Sequence, residues 1–411
     1  MFFHVARQPI LDRDQNLFAY ELLFRDSIIN VFPDIDGDEA TSKIVAASQF
    51  DFSMSDFSGS KPAFINFTLE TIEKGYPQLV PPAQLVIEIL ETVKPGKRLL
   101  AHCKTLKKLG YVIALDDYIH QPVWRHFYPL IDIIKIDFLD TSLETIKKII
   151  AAIKNFPHIK LLAEKVETHE QFNTAMELGF DYYQGYFFSK PEMIKAKTLT
   201  PAQFSLSELL YESSKIDLDF PKIIKVFELD INLSYKLLRY SNSPFFRRRA
   251  EISTIKQAVI TLGKKELQKF VAILFTAETS EGKPPELMAL SLARAKFAEG
   301  LAIQYGKLQD TSMAFLTGML SLIDAILGDS MESAMDKLPL SSDIKNALIK
   351  DEGELSQLIN IVKCYEMTRW EDATKELSQL GIDQNKVPEL YHQSVIWANE
   401  QMRFIVGPSK T

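Results

Sequence analysis

The sequence predicts an α/β barrel followed by an all-α domain. Three observations carry that expectation. The first half alternates short apolar runs with stretches of helical apolar spacing. Those runs, such as Tyr111 to Leu115, lack the polar alternation of a half-exposed strand, so they read as strands buried on both faces. Beyond about residue 200 the strand-like runs stop and only helical spacing remains.

In order, Phe3 to Leu11 reads as a strand closed by the polar turn Asp12 to Asn16. Leu17 to Phe24 is a second strand, containing Glu21 and followed by Arg25. Residues 26–40 are polar and Asp-rich and read as a loop; Thr41 to Phe52 has helical spacing. Strands follow at Ala63 to Thr68, Leu85 to Glu91, Tyr111 to Asp117, Ile133 to Asp137 and Leu161 to Glu167. The helices between and after them are Leu99 to Leu109, ended by Gly110, then Leu143 to Phe156, then His169 to Leu178, ended by Gly179. Tyr182 to Phe188 closes the series. Seven or eight strands in about 190 residues suit a compact TIM-like (β/α) barrel. An open doubly wound sheet is the alternative, but no Gly-rich phosphate loop follows the first strand.

Lys190 to Thr200 is a polar, Pro-containing passage that reads as a linker. After it, helical spacing covers Pro221 to Phe227, Leu233 to Tyr240, Ile252 to Leu262 with Gly263 as a stop, Leu267 to Phe275, Met288 to Tyr305, Met313 to Leu327, Asp343 to Leu348, Glu354 to Thr368 and Val387 to Phe404. The expected division is a barrel over 1–198 and a helical domain over 199–411.

Composition excludes several classes. The 411 residues are 46% hydrophobic and 25% charged, ordinary for globular protein. A net charge of −7 offers no basic field for nucleic acid, so no DNA partner is expected. Two distant cysteines, Cys103 and Cys364, have no metal-ligand spacing and suit a reducing compartment. The amino terminus lacks a signal-peptide pattern, and no apolar run approaches the ~20 residues of a membrane span. A soluble cytoplasmic protein is expected.

The polar residues within or at the ends of the apolar strands are Glu21, Asn66, Glu88, Asp116, Asp117, Lys135, Asp137, Glu164, Glu167 and Gln184. Catalytic groups of barrel enzymes sit at the carboxyl ends of strands. Converging buried carboxylates need a compensating cation. Oxygen ligands suit hard ions, and two such ions are a standard device for phosphodiester cleavage. The other reading is a set of salt bridges lining the barrel, with Lys135 and Arg25 as partners. His120 and His126 read as exposed loop residues.

Tyr20-Glu-Leu-Leu-Phe-Arg25 resembles the signature of EAL domains, the cyclic di-GMP phosphodiesterases, with Leu22 in place of the signature Ala. Phe64-Ile-Asn66-Phe, Glu88-Ile-Leu-Glu91, Ala114-Leu-Asp116-Asp117, Ile134-Lys135-Ile-Asp137, Ala163-Glu164-Lys165-Val-Glu167 and Gln184-Gly185-Tyr186 resemble the remaining motifs in family order, over residues 1 to about 195. The resemblance implies two Mg²⁺ or Mn²⁺ ions. Glu21, Asn66, Glu88 and Asp116 would hold one; Asp116 and Asp117 would share the second, helped by Glu164. Lys135 would position or deprotonate the attacking water, with Glu21 and Asp116 beside it in catalysis. Gln8, Arg25, Glu167 and Gln184 would touch or support the ligand, and Glu91 would support the adjoining loop. The product would be the linear dinucleotide. Besides Leu22, one segment and one further position depart from the family. Tyr118-Ile-His-Gln-Pro-Val-Trp124 replaces a Gly-rich loop, and Lys165 replaces a usual Gly.

Phe227 to Ser243 and Ile252 to Gly263 resemble HDOD domains, which look like HD phosphohydrolases without their ligands; the likeness extends over about 200–400. After residue 200 the only histidine is His392, so no His-based metal centre can be built there. The EAL-then-HDOD order resembles a group of bacterial signalling proteins called YuxH-like. It implies cyclic di-GMP as ligand and a protein partner through the helical domain. A catalytically weak or inactive cyclic di-GMP-binding or protein-binding regulator is the alternative. The short linker implies that the helical domain docks on the barrel and biases its site.

Overall fold

The computed structural model describes residues 4–25, 54–189, 201–214, 218–243, 246, 252–280, 282–338 and 340–406. The expected loop 26–40, the helix Thr41 to Phe52 and the linker Lys190 to Thr200 lie outside the described residues.

Eight strands close into a barrel in sequence order. They are β1 (His4–Asp12), β2 (Leu17–Arg25), β3 (Ala63–Phe67), β4 (Leu85–Ile89), β5 (Val112–Leu115), β6 (Ile133–Asp137), β7 (Lys160–Glu164) and β8 (Tyr182–Gln184). The sheet is not wholly parallel. β1 runs antiparallel to both β2 and β8, while β2 to β8 are parallel to one another. The cause is the four-residue turn between β1 and β2, where Asp12 Oδ1 accepts from the amides of Asp14 (2.9 Å) and Asn16 (2.8 Å). Parallel neighbours need a crossover of a dozen or more residues, and this connection is far too short.

Side chains alternate inward and outward along each strand. The inward residues Ile10, Ala19, Phe64, Val86, Ala114, Ile133 and Leu162 form a separate apolar plug inside the barrel, with Tyr182 packed against it. The plug closes one end, so polar residues nearer the carboxyl ends of the parallel strands line the open mouth.

Short helices α1 (Met54–Ser58) and α2 (Leu69–Glu73), with α3 (Lys97–Lys108), α4 (Leu143–Ile153) and α5 (His169–Glu177), cover the outside. Ser142 caps α4, and Thr168 with Gln171 forms a capping box on α5. Among the described residues, twelve helices follow: α6 (Pro201–Ser214), α7 (Phe220–Leu229), α8 (Ile231–Ser241), α9 (Ile255–Thr279), α10 (Pro285–Tyr305), α11 (Ser312–Leu320), α12 (Ile323–Leu327), α13 (Met331–Lys337), α14 (Ser342–Ile349), α15 (Glu354–Glu366), α16 (Trp370–Leu380) and α17 (Val387–Val406). Gly263 leaves helical geometry where the stop was expected (φ 65°, ψ −179°), so α9 is two helical runs joined at a kink. The helix expected over Met313 to Leu327 is two, α11 and α12, broken at Ser321 and Leu322. Helices α6, α13 and α16 were not anticipated.

The helical domain is not a separate globule. The outward apolar residues of the barrel and the core of the helical domain form one continuous buried cluster, running from Val5 and Leu22 to Ile359 and Tyr391. Helices α15 and α17 pack on β1, and α17 also packs on α1. No helix among the described residues is long and apolar enough to cross a membrane.

Candidate functional site

The site follows from the two-residue period of the strands. Two positions from each plug residue, toward the mouth, stands one polar residue: Gln8, Glu21, Asn66, Glu88, Asp116, Lys135, Glu164 and Gln184. On β1, which runs the other way, the polar residue precedes its plug residue. Pairing register locks neighbours together: Gln8 faces Glu21, and Asn66 faces Glu88.

Lys135 is the centre. Its side chain is fully buried, and its ammonium lies 2.5 Å from Glu88 Oε1, 2.8 Å from Asp116 Oδ1, 2.8 Å from Glu164 Oε1 and 3.5 Å from Glu21 Oε2. Burial pulls its pKa down, but Glu164, Glu21, Glu88 and Asp116 outweigh that and hold the lysine well above its ordinary value. Burial pushes the Glu88 carboxyl well above the carboxylate range, and Glu21 adds to the effect. Burial likewise pushes Glu164 up to about 8, against the pull of Lys135. Gln184 donates to Glu21 Oε2 (2.5 Å) and to Gln8 Oε1 (2.9 Å), tying β1, β2 and β8 into one corner.

Asp117 follows in the left-handed region (φ 40°), raised in pKa by burial and by Asp116. Lys165, also left-handed (φ 54°), pairs with Asp137 Oδ2. A glycine would hold that backbone without strain, which accounts for the usual Gly at this position. The Lys165 ion pair and the amides of Leu139 and Asp140 outweigh burial and hold Asp137 below its ordinary value. Gly185 (φ 143°) meets the backbone of Val166 so closely that an added Cβ would lie 2.1 Å from its carbonyl oxygen. Only glycine lets the segment after Gln184 pass there.

Beside Asp116 and Asp117 lies a cavity of about 480 Å³, lined also by Glu91, Tyr118, Gln121 and Trp124. The Tyr118 to Trp124 segment that replaces the family's Gly-rich loop is anchored at its two ends, where Tyr118 and Trp124 are buried, while residues 119–123 between them are exposed. The Tyr118 and Tyr128 hydroxyls are 2.8 Å apart, and Trp124 meets Phe127 edge-on at 5.1 Å. His120 and His126 are exposed, as expected. Glu167 is exposed beyond β7, its amide donating to Gln171 Oε1. Arg25 ends β2, and its side chain lies outside the described residues. Asp137 and Lys165 are functional-site neighbours whose mutual pairing the sequence reading did not foresee; the missing Gly beside Glu164 was the available signal.

Among the described residues, no group of three or more His, Cys, Asp and Glu side chains converges on a ready-made cation position; the acids converge on Lys135 instead. The donor set nonetheless fits hard divalent ions. Four acids surround one ammonium, and the buried oxygens Glu88 Oε2 and Glu164 Oε2 lack a hydrogen-bond partner. Buried carboxylate oxygens of this kind call for further cations.

Fold and site together define an acid-lined (β/α) barrel joined to a helical domain, and comparison with known proteins gives that class its name. The EAL domain model matches residues 39–191, and the HDOD domain model matches 201–342. The EAL match begins beyond Glu21, which the barrel itself places in the polar layer. The cyclic di-GMP phosphodiesterase CdgJ of Vibrio cholerae is 35% identical over 404 residues, 98% of this chain and 94% of that protein. The uncharacterised protein YuxH of Bacillus subtilis is 35% identical over 406 residues, 97% of this chain and 98% of that protein. The chain belongs to this EAL–HDOD family. Among solved structures, the EAL enzyme Bd1971 bound to cAMP and cyclic di-GMP is 21% identical, with a TM-score of 0.39 over 46% of this chain and 62% of that one. The Klebsiella pneumoniae BlrP1 manganese and cyclic di-GMP complex is 20% identical, with a TM-score of 0.37 over 45% of this chain and 54% of that one.

Proposed function

We propose that this chain is a cyclic di-GMP phosphodiesterase that uses Mg²⁺ or Mn²⁺ at a two-ion site. Water adds across one P–O3′ bond of the ring, giving linear pGpG with one new phosphate oxygen and one free 3′-hydroxyl. One observation carries the reading: every strand of the barrel delivers a polar residue to a single layer, and the acids of that layer gather around one buried lysine. Family membership with CdgJ supports the same substrate.

Glu21, Asn66, Glu88 and Asp116 would hold one ion; Asp116, Asp117 and Glu164 would serve the second. Bound ions would supply a nucleophile at neutral pH and offset phosphate charge. Lys135, held as an ammonium, orients water and phosphate rather than taking the proton. Burial raises Glu164 to about 8, and an ion bound there would favour its deprotonated form, so ion binding would release a proton. Gln8, Gln184, Arg25 and Glu167 contact or support the dinucleotide, and Glu91 supports the cavity rim. The division is a barrel over 1–198 and a helical domain over 199–411 that meets a protein partner. Two free buried cysteines support a cytoplasmic setting.

A second reading has its own observation. The Tyr118 anchor after Asp117 and the Lys165–Asp137 pair stand beside the second ion's acids, where the family has a Gly-rich loop and a Gly. They favour a slow enzyme or a cyclic di-GMP-binding regulator. The test is full-length protein with Mn²⁺ and cyclic di-GMP, products separated by chromatography. Wild type forms pGpG and Asp116→Ala does not. Wild-type product no higher than the Asp116→Ala background removes the enzymatic reading, and calorimetry then separates a sensor that binds from a scaffold that does not.

A further inference from the structure

The barrel's two antiparallel junctions carry a contact that the catalytic reading leaves unused. Gln8 and Glu21 point into the mouth, so their strand neighbours Arg7 and Tyr20 point outward. Both outward residues are polar, buried, and bonded to the helical domain. The Tyr20 hydroxyl donates to Glu286 Oε1 (2.8 Å) and Oε2 (2.9 Å) at the start of α10. The Arg7 guanidinium lies 4.4 Å over the Tyr20 ring and donates to Asn399 Oδ1 of α17 (3.2 Å) and to Phe57 O (2.6 Å). Asn399 in turn donates to Asp56 O (3.0 Å), which closes the contact around α1.

A buried tyrosine, arginine and glutamate are costly placements on a surface that apolar packing alone could seal. Their geometry fixes two strands in rotation as well as position. A strand rotated outward at Tyr20 must rotate Glu21 inward by the same angle, because adjacent residues share one backbone. The inner partners respond together, since Gln184 bonds both Gln8 and Glu21. Past β8 the chain also meets the helical domain. The segment Phe187–Ser189 packs on α12.

We propose that Tyr20 and Arg7 are positioning residues, through which Glu286 and Asn399 of the helical domain set the Gln8–Glu21–Gln184 corner of the barrel mouth. The helical domain is then part of the site's supporting shell rather than an attached module. The inference rests on the phosphodiesterase reading for its functional consequence. Coupling is reciprocal, so whatever changes the helical domain's grip on β1 and β2 changes the affinity of the mouth, and the reverse.

The test uses the full chain with Tyr20→Phe, which keeps the ring under Arg7, and the double variant Tyr20→Phe/Glu286→Leu, which removes the buried acid that Tyr20→Phe leaves unpaired. Half-maximal Mn²⁺ concentration and KM for cyclic di-GMP are measured beside kcat, the melting temperature and amide hydrogen exchange. Supporting residues around a metal site typically change affinity or activity about 10–100-fold. The expected result is a Mn²⁺ midpoint raised about ten-fold in both variants, with kcat at saturating Mn²⁺ recovered and a single cooperative melt showing each variant folded. Unchanged Mn²⁺ midpoint and KM in a well-folded double variant would overturn the proposal. If wild type neither binds nor cleaves the nucleotide, the phosphodiesterase reading fails separately, and hydrogen exchange decides this one. Faster exchange confined to β1, β2 and β8 supports the positioning role; unchanged exchange there refutes it.

Discussion

Replacing Lys135 with methionine isolates the charge at the centre of the site. Methionine keeps an unbranched stem of similar length, so little cavity is opened and the loss is chiefly the ammonium. The lysine is 0% exposed, so solvent does not screen its pairs with Glu88, Asp116 and Glu164. Removing one partner from a buried ion network costs about 3–5 kcal/mol, because the remaining charges stay buried without compensation. At roughly 2 °C per kcal/mol for a chain of this size, the melting temperature should fall by roughly 6–10 °C near neutral pH. The deficit should shrink toward pH 5. Without the ammonium the acids of the ring take up protons more readily as pH falls, which relieves their repulsion in the folded variant. Calorimetric melting at pH 5 and pH 7.5 measures the stability, and pGpG formation should be lost in the same variant. A Lys135→Met protein that melts within about 2 °C of wild type at both pH values, a shift of roughly 1 kcal/mol, and still turns over would refute the account of the site as a lysine-centred acid ring.

Two further outcomes are expected. Gly185→Ala places a Cβ 2.1 Å from Val166 O, so the segment after Gln184 must shift; turnover should fall sharply while the helical domain keeps its far-UV circular dichroism. His392 of α17 stacks on Phe57 and lies 3.8 Å from Asp56, and burial holds its pKa below 6.5 despite that acid. The unfolded chain therefore binds the proton more readily, so stability is full above about pH 6.5 and declines as pH falls below it. In His392→Gln that part of the decline should vanish from urea melts taken between pH 7.5 and pH 5, and an unchanged slope would count against it.

Much of the barrel was legible in the sequence because its strands bury both faces. Runs such as Leu85 to Ile89 and Ile133 to Asp137 are apolar except where a polar residue is placed at the mouth, so Glu88 and Lys135 announced themselves. The EAL and HDOD motifs gave the order of the two halves. Other features depended on neighbours that the chain reaches only after folding. Gln8 was assigned to the ligand from resemblance, yet its bond to Gln184 across 176 residues exists only once the barrel closes. The antiparallel setting of β1 came from a short turn that local periodicity does not weigh. Helix α6 has little amphipathic pattern of its own, whereas α16 carries a clear apolar stripe at Ala373, Leu377 and Leu380 that was passed over. Arg7 and Glu286 carried no motif, and Tyr20 entered only as the first residue of the EAL-like stretch, with no outward role assigned. Sequence alone determined which residues face the mouth, because a period of two assigns each strand residue to a face. Only the tertiary structure decided that the outward neighbours of Gln8 and Glu21 are gripped by the helical domain. The reason is physical: a buried polar contact between residues 266 positions apart has no local propensity, and it forms where two surfaces already brought together by apolar burial must satisfy the polar groups trapped between them.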